Sequence, residues 1–89
     1  MNQDTQRKRF RFGCRRGMLE LDIILLNFFD ACYDNLDQDS QLQFQRLLES
    51  PDPDLFAWLM SYQNVPVPYQ AIIERIRNHA QSIDSIKHQ

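Results

Sequence analysis

Glycine is almost absent from this chain: two of its 89 residues are Gly, and valine is equally rare. That scarcity leaves no Gly-rich loop to cradle a phosphate. It also argues against sheet, whereas the abundance of Leu, Ile, Gln and Asp favours helix. Cysteine occurs at Cys14 and Cys32, eighteen positions apart, with no C-x-x-C and no dense framework. Reduced thiols in a reducing compartment are therefore expected. Histidine occurs only at His79 and His88, which have no metal-ligand spacing and lie far in sequence from Cys14. No metal site, no Ser–His–Asp set and no Cys–His set is expected, so the chain is read as a non-enzyme. Glu20, a carboxylate near arginines, would be a weak general base. Long hydrophobic runs are lacking too. The longest, Ile23 to Phe29, is broken by Asn27 and bounded by Asp22 and Asp30, far too short to span a bilayer. The opening residues, Met1 to Arg7, have no apolar core of a secretory signal. The expectation is no membrane insertion and a location in a bacterial cytoplasm.

A chain of 89 residues makes one domain. At that size it buries only roughly 60–65% of its unfolded surface, which leaves room for a few helices and a contact face but hardly for a deep catalytic cavity. The net charge of −2 conceals an uneven distribution. Residues 1–16 carry Arg7, Lys8, Arg9, Arg11, Arg15 and Arg16 against Asp4, a net of +5, and residues 17–54 carry nine acids against Arg46, a net of −8. Two readings stand: a bipolar surface that orients a partner, or a solvated basic arm on an acidic body.

Hydrophobic spacing predicts an all-α bundle of about five helices in a single domain, 1–89, with residues 1–8 and about 84–89 flexible. Arg9 to Phe12 reads as a short helical turn anchored by Phe10 and Phe12, and Cys14 to Gly17 as a turn. The second helix, about Met18 to Tyr33, has two apolar stripes, one of Leu21, Ile24 or Leu25, Phe28, Cys32 and Leu36 and one of Ile23, Leu26, Phe29 and Tyr33, and is expected to be the central one. The third helix runs from Gln38 to Glu49 with Asp37 as N-cap. The fourth runs from Pro53 to about Tyr62, with Asp52 as N-cap and Asp54 near the positive dipole end. After a loop held by Pro66 and Pro68, the fifth starts near Pro68. Its buried stripe is expected to hold Tyr69, Ile72, Ile73, Ile76, Ala80 and Ile83.

The charges of Arg16-Gly17-x-x-Glu20 are not explained by core packing. One reading is structural: Glu20 satisfies amides at the helix start and Arg16 pairs with it across a turn. The other is an exposed contact patch. The motif belongs to an ordered set: Leu21-Asp22, Phe28-Phe29, Tyr33-Asp34, Arg46-Leu47-Leu48-Glu49 and Asp52-Pro53-Asp54-Leu55-Phe56-x-Trp58-Leu59. From about Phe12 to Met60 this set resembles the SdhE (YgfY) family of succinate dehydrogenase assembly factors, or flavinators. The resemblance implies a YgfY-like helical fold and a protein that binds the flavoprotein subunit of succinate dehydrogenase, and by extension that of fumarate reductase. It implies promotion of covalent FAD attachment in that partner, with no cofactor held tightly by this chain. It places Arg16, Gly17 and Glu20 in the partner-binding patch, with Arg15, Met18 and Asp22 beside them and Arg9 and Arg15 steering the encounter. Gly17→Arg is expected to block docking without unfolding the bundle, and the protein is expected to be a monomer. Trp58 is read either as core or as a surface anchor.

The rival class is a small nucleic-acid-binding regulator that uses the basic arm, with Phe10 and Phe12 stacking on bases. The acidic body beside the arm would repel a long polyanion, so no nucleic-acid partner is expected.

Overall fold

The computed structural model describes residues 3–87, with side chains from Asp4 to Ser82. Five α-helices follow one another: α1 (Gln3–Phe12), α2 (Leu19–Cys32), α3 (Gln38–Leu47), α4 (Asp52–Leu59) and α5 (Val67–Lys87). A single 3-10 turn, Tyr33–Asn35, continues α2. No strand occurs among the described residues. The all-α, five-helix expectation holds. The side chain of Ile83, and residues 1, 2, 88 and 89, lie outside those described.

The hub is α5 rather than α2, because α5 packs against α2, α3 and α4 in turn. Ile72, Ile73 and Ile76 on its inner face are fully buried. α2 contributes Leu21, Leu25, Phe28 and Phe29 to the core, yet Leu19, Glu20, Ile23, Asn27 and Asp30 form an exposed stripe along it. Ile23, expected on a buried stripe, is 46% exposed. A helix apolar on most of its circumference does not reveal which side its neighbours leave uncovered. Phe44 of α3 sits among Phe28, Phe29 and Tyr33, with ring centroids at 5.6, 6.0 and 5.8 Å. The Tyr33 hydroxyl accepts a hydrogen bond from Gln45. These tilted aromatic contacts bury large surfaces and tie α2, the 3-10 turn and α3 together.

Local signals explain most helix ends. Asp37 accepts a bond from the Ser40 amide, as its place before α3 predicts. α4 begins one residue earlier than expected, with Pro51 at its N-cap and Asp52 inside the first turn. Its C-terminus is a Schellman arrangement: Tyr62 N–H donates to the Ala57 carbonyl (2.8 Å) and Ser61 N–H to that of Trp58 (3.2 Å). Ser61 adopts φ 64°, the left-handed conformation such a cap requires. The Arg77 guanidinium also donates to the Trp58 carbonyl. Trp58 itself is core: 8% exposed, with its ring 5.7 Å from that of Tyr69.

The N-terminal arm differs most from expectation. α1 starts at Gln3, not near Arg9, so most of the stretch read as loose is helical. Phe10 is half-buried, but Phe12 is 72% exposed and anchors nothing. Ion pairs hold the helix instead. Arg7 is bidentate on Asp34 (2.9 and 3.1 Å) and Arg11 bidentate on Asp30 (2.8 and 2.9 Å). The Arg7 guanidinium lies 4.9 Å from the Phe29 ring centroid. Both carboxylates are held below the ordinary range, chiefly by the hydrogen bonds from Arg11 to Asp30 and from Arg7 to Asp34. A carboxylate pKa depressed on folding stabilises the fold above the unfolded value and is lost as pH falls through the folded one.

α1 is therefore expected to detach before the core unfolds, as pH drops below about 4 or in about 1 M NaCl, where screening acts over ~3 Å. Hydrogen exchange checks this: α1 amides lose protection under either condition while those of α2 and α5 keep it. Unchanged α1 protection at high salt would mean that Phe10 and the backbone suffice to hold it.

Candidate functional site

The loop between α1 and α2 is shaped by one arginine and one aspartate. Arg16 does not pair with Glu20. Its side chain, 15% exposed, turns inward. Nε donates to Asp52 Oδ1 (2.7 Å), Nη1 to the carbonyls of Gly13 (2.9 Å) and Leu48 (2.7 Å), and Nη2 to that of Ser50 (2.7 Å). Four of its five N–H groups are thereby used. Leu48 is the C-cap of α3, so its carbonyl is one that the helix leaves unpaired at its negative dipole end. Asp52 stands in the first turn of α4. The guanidinium thus joins the α1–α2 loop to the end of α3 and the start of α4. Asp52 is not the N-cap of α4, because its carboxylate is turned to Arg16.

The capping role expected of Glu20 belongs to Asp22. Its carboxylate reaches back to accept the amides of Arg16 and Gly17, the latter at 3.3 Å. Gly17, at φ 85°, takes the left-handed conformation that lets the chain turn into α2. No atom lies within 4 Å of where a Cβ would stand on Gly17. Behind the loop, Cys14 is fully buried, and its thiol contacts the Phe10 carbonyl at 3.5 Å. Burial pushes that thiol up to about 12.

Of the residues the sequence put forward, Arg16 and Asp22 hold the loop from within. Met18 is half-buried against the core. Gly17, Glu20, Arg15 and Arg9 are exposed. Glu20 makes no side-chain hydrogen bond or ion pair among the described residues, so its carboxylate is available. Leu19, 76% exposed, stands beside it with Ile23 one turn on, and neither was foreseen as part of an outer face. Asp52, Leu48 and Ser50 were also missed as supports for Arg16. Separations of 32 to 36 residues leave no local signal. Cys32 Sγ lies 3.7 Å from His79 Nδ1, but no group of three metal-ligating side chains occurs among the described residues.

This geometry defines a small helical domain, with an exposed turn and a free carboxylate carried on a braced frame. A family model described as the flavinator of succinate dehydrogenase matches residues 8–80. The FAD assembly factor SdhE of Vibrio cholerae is 53% identical over 57 residues, which span 64% of this chain and 66% of that one. The protein of the same name from Photobacterium profundum is 42% identical over 83 residues, covering 92% and 94%. A solution structure of a UPF0350 protein, 40% identical, superposes with a TM-score of 0.79 over 100% of this chain and 96% of that one. The chain belongs to the SdhE family of succinate dehydrogenase flavinators.

Two expectations follow from the frame. Arg16→Lys keeps the charge but loses the fork that reaches three carbonyls and a carboxylate. It should cost ~1–2 kcal/mol and lower the melting temperature by about 5–10 °C; a melt within 1 °C of wild type would show the fork to be dispensable. Separately, iodoacetamide at pH 8 should label Cys32, which is partly exposed, well before Cys14. Peptide mass spectrometry of the native protein reads the order, and faster labelling of Cys14 would contradict its burial.

Proposed function

We propose that this chain binds the flavoprotein subunit of succinate dehydrogenase and promotes covalent attachment of FAD to a histidine of that subunit. The same contact serves the related subunit of fumarate reductase. The observation that carries the reading is the pairing of an unpartnered Glu20 with an outward Gly17 turn, in a chain that matches the flavinator family over residues 8–80.

Attachment needs loss of a proton from the flavin 8α-methyl, addition of the partner's histidine nitrogen to that carbon with loss of its own N–H proton, and stabilisation of the electron pair that passes to the ring, which is left as reduced flavin until an electron acceptor reoxidises it. This chain assists by binding, as a non-enzyme. It selects the flavoprotein conformer in which histidine and methyl carbon are within reach, and it shifts the population by its differential affinity for that conformer. Gly17 allows the partner backbone close approach. Glu20 fixes the docking register, Met18 adapts to the partner surface, and Arg9 and Arg15 steer the encounter. Arg16 and Asp22 hold the turn ready, which lowers the ordering cost of docking.

A nucleic-acid role draws less support. Of the six cations in residues 1–16, Arg7, Arg11 and Arg16 are neutralised by Asp34, Asp30 and Asp52. No helix among the described residues is long and apolar enough to cross a membrane.

In-gel flavin fluorescence of the denatured flavoprotein reads the covalent product directly. Cells lacking this gene should lose most of the signal. Wild type should restore it, and Glu20→Ala should restore less than about a tenth. An unchanged signal in the deletion strain would sink the reading. Gly17→Arg combines a bulky side chain with a left-handed backbone that costs ~1–2 kcal/mol for other residues, so it is not the clean docking variant that the sequence suggested. Gly17→Asn tolerates the angle and isolates the steric effect. It should keep the fold and still weaken flavinylation several-fold.

A further inference from the structure

A groove of about 500 Å³ runs between the N-terminal half of α2 and the stretch of α5 around Arg77 to Gln81, floored by the end of α4. Its apolar surface comes from Ile23, Ile24, Leu59, Met60 and Ala80. Glu20, the available carboxylate of the motif, stands on its edge. The groove is therefore continuous with the docking face proposed above. Its floor is fixed, because the Schellman end of α4 and the Arg77 bonds to the Trp58 carbonyl hold Leu59 to Ser61 in place. His79 lines the same groove, and its Nε2 is buried with no hydrogen-bond partner among the described residues.

We infer that this groove seats an apolar side chain of the flavoprotein subunit, next to a lysine or arginine of the same partner segment that pairs with Glu20. The inference rests on the reading that the flavoprotein subunit is the partner. Three observations set the occupant's chemistry. The groove is open to solvent on one side and lies between two helices, a shape that takes projecting side chains from a polypeptide. Its centre is apolar, and Ile23 is 46% exposed, so covering it removes apolar surface from water. Glu20 on its margin has no partner among the described residues, whereas the Arg77 guanidinium keeps its charge but is held in place against the Trp58 carbonyl. An apolar anchor with a flanking cation matches all three. The anchor supplies burial, and the cation supplies orientation along the motif.

The test measures binding of the purified flavoprotein subunit to the full chain by titration calorimetry, across 50 to 300 mM NaCl. Ala80→Trp fills the groove, and Ile23→Asp places a charge in it. Because Ile23 is already substantially exposed, the second variant keeps the test valid if the first fails to fold, which a thermal melt decides. Each is expected to weaken binding at least tenfold. Leu42→Trp, on the exposed side of α3, is the control and should change it less than twofold. Glu20→Gln should weaken binding several-fold and flatten its salt dependence. If wild type binds and both groove variants bind within twofold of it, the groove is not occupied, while the assembly-factor reading stands. An unaltered salt dependence in Glu20→Gln overturns the cationic neighbour. Failure of wild type to bind the subunit at all removes both the reading and the groove proposal.

Discussion

The Arg16 guanidinium is the point on which the arrangement of the turn between α1 and α2 depends. It touches the end of α1, the exit of α3 and the start of α4 together. Burying a cation is costly unless its donors are met. Here four of the five are met, by a carboxylate and by carbonyls at the ends of α1 and α3, so each side relieves the other's desolvation. The planar fork matters because its acceptors lie in different directions, which a point-like ammonium does not serve at once. With this joint in place, Asp22 collects the two amides of Arg16 and Gly17, and the turn into α2 has a fixed shape.

Charge plays a different part at the N-terminus. The contrast between a basic arm and an acidic body looks in sequence like a dipole offered to a partner. In the fold much of it is internal: Arg7 and Arg11 lie on Asp34 and Asp30 and hold a helix that contributes little apolar burial of its own. Lys8, Arg9 and Arg15 remain exposed as the part of that charge open to a partner. The paired arginines thus serve cohesion on one face of α1, and under the proposed function the exposed cations would serve encounter. Only the cohesive share is protected by bidentate geometry.

How much of this is legible in the sequence depends on the distance over which each feature acts. α3, α5, the Asp37 cap and the proline-held loop were readable because their causes lie within a turn or two of their effects. The length of α1 was not, since its ion pairs reach 27 and 19 residues along the chain. Asp52 shows the limit most clearly. Its position before Pro53 suggests a cap, yet a partner 36 residues away takes its carboxylate. Ile23 shows another: periodicity reports that a helix has apolar faces, not which one its neighbours leave bare. The sequence groups the motif residues, whereas their division into inward and outward members depends on contacts 32 to 36 residues away.

That division changes how the Arg-Gly-x-x-Glu element acts. Arg16 and Glu20 are one helical turn apart in sequence, yet they work on different free energies. Arg16 acts on the folded state of this chain, where losing its bonds exposes carbonyls and an acid that nothing else satisfies. Glu20 has no side-chain partner among the described residues, so in the proposed complex it would act on affinity. Gly17 stands between: its backbone angle belongs to the fold, and in the proposed complex its missing side chain would leave room for the partner. A population-selecting protein gains from this separation. Stability set by inward groups leaves the outward ones free to be matched to a single conformer of the partner. A turn already fixed before contact keeps the ordering cost of docking low, so more of the binding free energy goes to discriminating between conformers. Loss of activity at Arg16 and at Glu20 would therefore look alike in a cell and differ in solution, the first moving the melting temperature and the second the affinity.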